Sequence, residues 1–293
     1  MRSLSPRLGS GNHDGLGSPP VPSYGPVLMH EILAVLRPLF FAALLLVPLE
    51  WLLPARGPDR RTRAGIVADI LHATVGTLMI RFGAMLLLAL IAPFDPLVHL
   101  SGTIPVWLQA IILLLVCDFI IWCVHRSFHA SPFLWRFHRI HHSSPHLDWL
   151  ATARVHPVEQ IVFATAMALP MCIAAFSPAA VAIYMGFYTL HANLLHADTR
   201  LSFGPLDAVF TPPRVHHWHH ADEVHAYDSN FGSQLVIWDK LFGTAYRPEA
   251  ERPSRFGVEQ APPENFVDHL AAPFRAQPEL RSDSGGAVAE SAH

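Results

Sequence analysis

The stretch IPVWLQAIILLLVCDFIIWCVHRSFHASPFLWRFHRIHH (104–142) changes character halfway along. Its first 21 residues contain one charged side chain, Asp118, and of the 18 from His125 to His142, five are histidine. A helix needs about 20 mostly apolar residues to cross a bilayer core, so 104–124 reads as a membrane span. His125 and His129, four apart, continue that helix out of the apolar run. SPFLW (131–135) breaks it near the membrane interface, and His138, His141 and His142 open a second helical face. The stretch predicts a membrane helix that ends in a dense cluster of imidazoles.

The rest of the 293-residue chain supports a membrane protein. It is 51% hydrophobic and 15% charged, with a mean hydropathy of +0.30, whereas soluble domains average about 25% charged residues. Further apolar runs cover 31–54 and 66–94. Residues 160–197 contain no Asp, Glu, Lys or Arg, too long for one span and suited to a tight helix pair broken near Ser177-Pro178. The fold class expected is all-α, a polytopic integral-membrane helical bundle of about four to five spans. RGPDRRTR (56–63) places Arg56, Arg60, Arg61 and Arg63 between the first two spans, which the positive-inside rule assigns to the cytoplasm. Counting crossings from there puts every dense histidine cluster in one cytoplasmic cap.

Residues 1–28 and 249–293 are rich in Gly, Ser, Pro and charge and read as largely disordered tails, leaving 29–248 as a single membrane-embedded domain. No cleavable signal peptide is evident. The net charge of −3 and the absence of a basic block argue against nucleic acid. Cys117, Cys123 and Cys172 sit singly in apolar runs and read as buried reduced thiols. Trp107, Trp122, Trp135, Trp149, Trp218 and Trp238 suit an interfacial aromatic belt.

The chain has 20 histidines, fourteen of them between His125 and His225. Positions i, i+3 and i+4 share a helix face, so HxxxH (His125, His129) and HxxHH (His138, His141, His142; His216, His219, His220) can each aim two or three rings at one point. A single histidine of this kind is ordinarily a satisfied core residue. Eight at these spacings would cost about 1–3 kcal/mol each if buried without partners, and metal coordination removes that cost. Eight or nine are too many for one ion and suit two. Imidazole binds Zn, Cu, Fe and Ni. Carboxylates are scarce among the boxes, which points away from two-metal hydrolysis and toward an oxidant.

HRSFH, HRIHHSS, RVHP, HADTRLSFGPL, TPPRVHHWHH and NFGSQLVIWDKLFGT together resemble the fatty acid hydroxylase/sterol desaturase superfamily, over roughly residues 115–247. The resemblance implies an integral-membrane oxidoreductase, a non-haem di-iron lipid hydroxylase or desaturase. Its cofactors would be two iron ions, with O2 as co-substrate. Its ligands would be His125, His129, His138, His141, His142, His216, His219 and His220. A ninth comes from the intervening segment. His191 has the family's HxN form, whereas His196 has the expected distance to FGPL and to the last box, which favours His196. His156, in RVHP, is a further possible ligand. Ligating histidines commonly donate their second N–H to a carboxylate or carbonyl, which makes Asp118 and Asp239 candidate orienting groups and Asn230 another. Asp69 and His72 read as a polar pair reaching for the interface, and His146, His217 and His225 as peripheral or solvent-facing.

The expected partners are a lipid substrate, the membrane, and an external electron donor of the ferredoxin or cytochrome-plus-reductase type, because the chain shows no GxGxxG after a strand. Short loops and Arg/Ala/Pro-rich tails point to a bacterial inner membrane. Rival readings are a metal transporter, a structural metal-binding membrane protein and a bis-histidine haem protein.

Overall fold

The computed structural model describes residues 25–55, 63, 65–91, 95–248 and 252–275. The architecture is all-helical, and the described residues contain no strand, only three isolated bridges: Pro54 with Thr199, Phe210 with Leu235 and Ala221 with Phe256. Helix α1 (Gly25–Leu52) absorbs Pro38 and Pro48. α2 (Ile66–Leu71), a π turn at His72–Gly76 and α3 (Thr77–Ile91) follow one another without a break. α4 (Val106–Ala130) runs on through His125 and His129.

A single residue makes the break that SPFLW predicts. Ser131 leaves helical geometry and caps α5 (Pro132–His142), its Oγ accepting from the Leu134 amide at 3.4 Å. Pro132 fills the first helical position, where its missing N–H costs nothing. The same Ser-Pro device separates α6 (Pro157–Ile173) from α7 (Pro178–His196), with Ser177 as cap, where the sequence places the break. α8 (Pro213–His219), α9 (Ile237–Phe242) and α10 (Phe266–Ala271) are short.

Ile32–Leu52, Ile66–Leu90 and Val106–Ala130 are each long and apolar enough to cross a membrane, and α6 is a shorter apolar helix. Phe40, Phe41, Trp51, Phe82 and Leu90 project outward, as lipid-facing residues do. α4 packs against α6 and α7, and α6 against α3. Leu113, Cys117, Ala180 and Tyr184 fill one half of this bundle. Ile121, Phe128, Phe137, Phe163 and Met167 fill the half next to the histidines.

Helix ends sort by chemistry. Amides of Leu97, Val98 and Leu100 bond to carbonyls of Ile173 and Ala174, so the α3–α4 and α6–α7 connections share one apolar end. At the other end lie the end of α1, the starts of α2 and α6, and the ends of α4 and α7, with α5 and α8. Ala55 N bonds to Asp198 O, and Arg154 to Asp69. Every histidine of the three boxes lies at this end.

Four sequence expectations change. Residues 252–275, read as tail, pack onto the domain: Glu264 pairs with the fully buried Arg154 at 2.7 Å, and His269 meets His72 at 3.1 Å. Composition hid these few strong contacts. Asp69 is not reaching for an interface but is fully buried between Arg63 and Arg154. Trp122 and Trp218 are core residues, whereas Trp107 is exposed. Cys172 is exposed and only Cys117 is buried. Arg56, Arg60 and Arg61, and the tails at 1–24 and 276–293, lie outside the described residues.

Candidate metal centre

Nine histidines converge in two groups. His125, His129, His138, His142 and His219 form one, and His141, His196, His216 and His220 the other, with the ligand atoms of each group within 4.8 Å of one another. The split follows from helical geometry. In HxxHH, residues i and i+4 turn to one group and i+3 to the other. Thus His138 and His142 join the first group and His141 the second, while His216 and His220 join the second and His219 the first. The two groups abut, since the rings of His142 and His220 stack at 4.4 Å.

Six of the nine rings are aimed by what their Nδ1 meets. His125 donates to Phe231 O at 3.0 Å, His141 to Arg154 O at 3.1 Å, His196 to Ala192 O at 2.9 Å and His219 to Ser229 O at 2.7 Å. His129 and His138 use carboxylates instead, Asp228 at 3.2 Å and Glu159 at 2.7 Å. A carbonyl only accepts, so these Nδ1 atoms hold the proton and Nε2 presents a lone pair inward. His141 and His196 therefore point two lone pairs at each other across 3.1 Å.

Such an arrangement repels unless a cation lies among the nitrogens. A proton is a poor candidate, because burial and the neighbouring imidazoles hold His141, His216 and His220 well below the usual histidine range. A metal ion fits. Nε2 atoms of His125 and His138, His138 and His142, His196 and His216, and His216 and His220 are 3.0–3.1 Å apart. Two ligands about 2.1 Å from one ion at right angles are about 3.0 Å apart, against about 3.4 Å in a tetrahedron. The buried Nε2 atoms of His129 and His219 have no hydrogen-bond partner, as free ligands should.

The remaining candidates lie outside these groups. His191 stands apart on α7, stacked on Phe187 at 5.3 Å, so of the two alternatives only His196 joins a group. His156 caps α6, accepting from Val158 N and approaching Leu270 O. His217 is fully buried and bonds Ala197 O. Asp118, Asp239 and Asn230 touch no histidine, contrary to expectation. Asp118 accepts from the amides of Gln234 and Leu235 and from the Trp238 indole. Asp239 accepts from the amides of Phe231 and Gly232 and from Trp122. Asn230, at a φ of 56°, bonds Val215 O and pairs both ways with Tyr246. All three fix the segment 229–235, whose carbonyls at Ser229 and Phe231 aim His219 and His125. They orient histidines one step removed.

Sequence reasoning missed Glu159 and Arg154. The available signal was HPVE, which puts a carboxylate in the first turn of the helix that RVHP begins.

Two cavities flank the centre. A small one, about 80 Å³, touches both groups through His125, His138, His141, His196 and His216, and is walled by Ile121, Phe163 and Tyr188 from the bundle together with Val155 and the polar Thr152, Glu159 and Gln160. A larger one, about 320 Å³, reaches His129, His142 and His219 between polar loops at Tyr227-Asp228 and Gly257–Glu259.

The fatty acid hydroxylase family profile matches residues 110–244, which contain all nine converging histidines. The ornithine lipid hydroxylase OlsE of Rhizobium tropici is 32% identical over 171 residues, 58% of this chain and 51% of that protein. Alkylglycerol monooxygenases are similar too: that of Caenorhabditis elegans at 29% over 161 residues (54% of this chain, 31% of that protein), and that of Homo sapiens at 30% over 126 residues (43% and 25%). The aligned region thus spans about half the length of the first relative and less of the others. No solved structure matches significantly. Residues 110–244 thus match a fatty acid hydroxylase domain, the part of the chain that holds both histidine groups.

Proposed function

We propose that the chain is an O2-dependent lipid hydroxylase with two irons held by the nine histidines. The observation that carries this reading is the small cavity that touches both histidine groups and has Ile121, Phe163 and Tyr188 of α4, α6 and α7 in its wall. A lipid carbon seated there would lie beside both groups. The named relatives, which hydroxylate ornithine lipids and oxidise alkylglycerols, support a lipid substrate.

Oxidising an unactivated C–H bond requires a redox metal, and zinc has no redox chemistry, so imidazole-bound iron suits the reaction. Bound iron would supply the activation of O2. The overall change is R–H + O2 + 2e⁻ + 2H⁺ → R–OH + H2O, with the electrons from an external ferredoxin- or cytochrome-type donor. The chain's own residues hold nine neutral imidazoles in fixed orientation, seat the lipid against them through Ile121, Phe163 and Tyr188, and keep bulk water from that side. The larger cavity leaves the other side open to the polar phase, where a donor can approach His129, His142 and His219.

Orientation follows from charge. Arg63, in the α1–α2 connection, pairs with Asp69 at the histidine end, and the sequence adds Arg56, Arg60 and Arg61 to that connection. We assign this end to the cytoplasmic face of a bacterial inner membrane.

The test is metal analysis of the purified chain, with turnover under 18O2 in the presence of a ferredoxin, its reductase and membrane lipid. About two irons per chain and one 18O atom in a hydroxylated lipid are expected. One tightly held zinc and no oxidised lipid would make the chain a metal-binding protein instead.

A further inference from the structure

We propose that residues 203–210 and α9, on the outer side of α7, form a binding site for one anionic phospholipid. An acyl chain lies in the groove against α7, and the phosphate is held by Lys240, Arg247 and Arg214. The site is separate from the histidine centre and needs no metal.

Helical period divides α7 between two uses. Tyr188, Ala192 and His196, four apart, line the small cavity of the metal centre. Phe187, Leu190, His191 and Leu194 lie on another face, and with Leu206 and Phe210 they line a groove of about 230 Å³. Its surface is entirely apolar, and both ring nitrogens of His191 are buried away from it. At about 30 Å³ apiece, the bulk share of a water molecule, roughly seven chain atoms fit. Leu190 and Leu206 are exposed, so the groove opens on the outside of the bundle.

Depth places this groove in the bilayer. At about 1.5 Å per residue, Phe187 and Leu194 are about 14 and 24 Å along α7 from Pro178, within an apolar core of about 30 Å. α9 sits at a matching level. Phe242 stacks on Trp122 of α4 at 4.5 Å, and Trp122 is about 24 Å along α4 from Val106. The two segments are bonded side by side, Val236 N to Val209 O at 3.0 Å and Thr211 N to Gln234 O at 2.9 Å. Leu206, Val209, Ile237 and Leu241 project outward from them. The groove and these side chains therefore meet acyl chains rather than water.

Charge selects the headgroup. Lys240 donates to Ala208 O at 2.8 Å and Arg247 to Asp207 O at 3.1 Å, on the two residues that follow Leu206. Arg214 is near enough to Arg247 to add, after burial, to the lowering of its basicity. All three side chains are exposed and keep further N–H donors. The Asp207 carboxylate is turned to Ser202 Oγ and the Phe203 amide, at 2.8 Å each. Lysine and arginine stems lie along apolar surface while their charged ends reach the headgroup level. A phosphate with no cation of its own meets this cluster, whereas the choline of a zwitterionic head is repelled.

The test is photo-crosslinking of the full chain in vesicles with diazirine-tailed phosphatidylglycerol or phosphatidylcholine, the labelled residues being mapped by mass spectrometry. Labelling near the outward-facing Phe40 and Phe41 of α1 reports ordinary surrounding lipid. In wild type, residues 187–194 and 203–210 should take the phosphatidylglycerol probe about fivefold more than the phosphatidylcholine probe, the scale of one cation near an anionic lipid, with no such preference at α1. The triple variant Arg214→Gln, Lys240→Gln, Arg247→Gln keeps an amide N–H for the carbonyls and should label equally with both probes. Leu190→Trp, which fills the groove, should lower labelling there by both probes and leave α1 unchanged. Absence of label in the groove, equal labelling in wild type, the same preference at α1, or a preference retained in the triple variant overturns the assignment.

Discussion

The carbonyl oxygen of Arg154 accepts from Nδ1 of His141 at 3.1 Å, while the guanidinium of the same residue lies buried between Asp69 and Glu264. One residue thus ties an imidazole of the four-histidine group to the start of α2 and to the C-terminal segment. Arg154 is fully buried, as is Asp69, while the Glu264 side chain is 30% exposed. Arg154→Met would strand the Asp69 charge with Arg63 alone, and breaking such a buried pair costs about 3 kcal/mol or more. The expected outcome is a lower thermal midpoint and selective loss of metal from the group containing His141. Differential scanning fluorimetry with metal analysis checks it, and a variant that melts and binds metal as wild type would refute the linkage.

The i, i+3, i+4 split makes a sharper prediction. His216→Ala removes a ligand only from the four-histidine group and His219→Ala only from the five-histidine group. Each should lower iron from about two per chain toward one, and the double variant should bind almost none. His191→Ala should keep both. Iron per chain in these four proteins, measured by mass spectrometry, decides between His196 and His191 as the ninth ligand.

Much of this site is legible in the sequence because ligand spacing and helical period are the same arithmetic. The boxes, the Ser-Pro breaks and the shared membrane end all follow from local pattern. The division of HxxHH between two groups does not, since it depends on where α8 lies relative to α5. Asp118 shares a face of α4 with His125, seven residues on. That face meets the segment 231–235, so His125 takes its carbonyl and Asp118 takes its amides. Spacing reports the face and not the partner. The role of 252–275 was hidden for another reason. A Pro- and Arg-rich segment has the composition of a tail, and contacts such as those of Arg252, Glu264 and His269 do not change composition.

The segment held by Asp239 gives a third prediction. Asp239 accepts from Phe231 N at 2.9 Å, Gly232 N at 2.8 Å, Trp122 Nε1 at 3.0 Å and Thr244 Oγ1 at 2.6 Å. Asp239→Ala leaves those donors buried and unmatched, at about 1–3 kcal/mol apiece for the most enclosed. Gly232 reports on the same contact by a different route. A Cβ there would lie 2.5 Å from Leu235 O and 2.8 Å from Asp239 Oδ2, so Gly232→Ala must push the segment outward. Both variants should weaken metal binding at the five-histidine group, through Ser229 and Phe231, more than at the other. Metal titration should show one site weakened tenfold or more in each, and equal weakening of both sites would mean general unfolding instead.

The C-terminal segment supplies the last prediction. His269 is fully buried, its Nδ1 is 3.1 Å from His72 Nε2, and its ring stacks on His72 at 5.3 Å. Burial holds His269 far on the neutral side, near 4, so the contact is a neutral hydrogen bond throughout the physiological range. Glu264 meanwhile completes the charge partners of Arg154. A stop codon after residue 251 removes both contacts together, along with the wall that Gly257–Glu259 give the larger cavity. Two elements that hold His141 in place, Arg154 and the start of α2, would then lose their outer support. The truncated chain should insert in the membrane, because α1 to α7 are untouched, yet become sensitive to protease between α5 and α6 and retain less iron. Limited proteolysis of membrane vesicles, with iron measured on the same sample, checks this. A truncated chain with wild-type protection and iron content would show that 252–275 packs on the domain without supporting it.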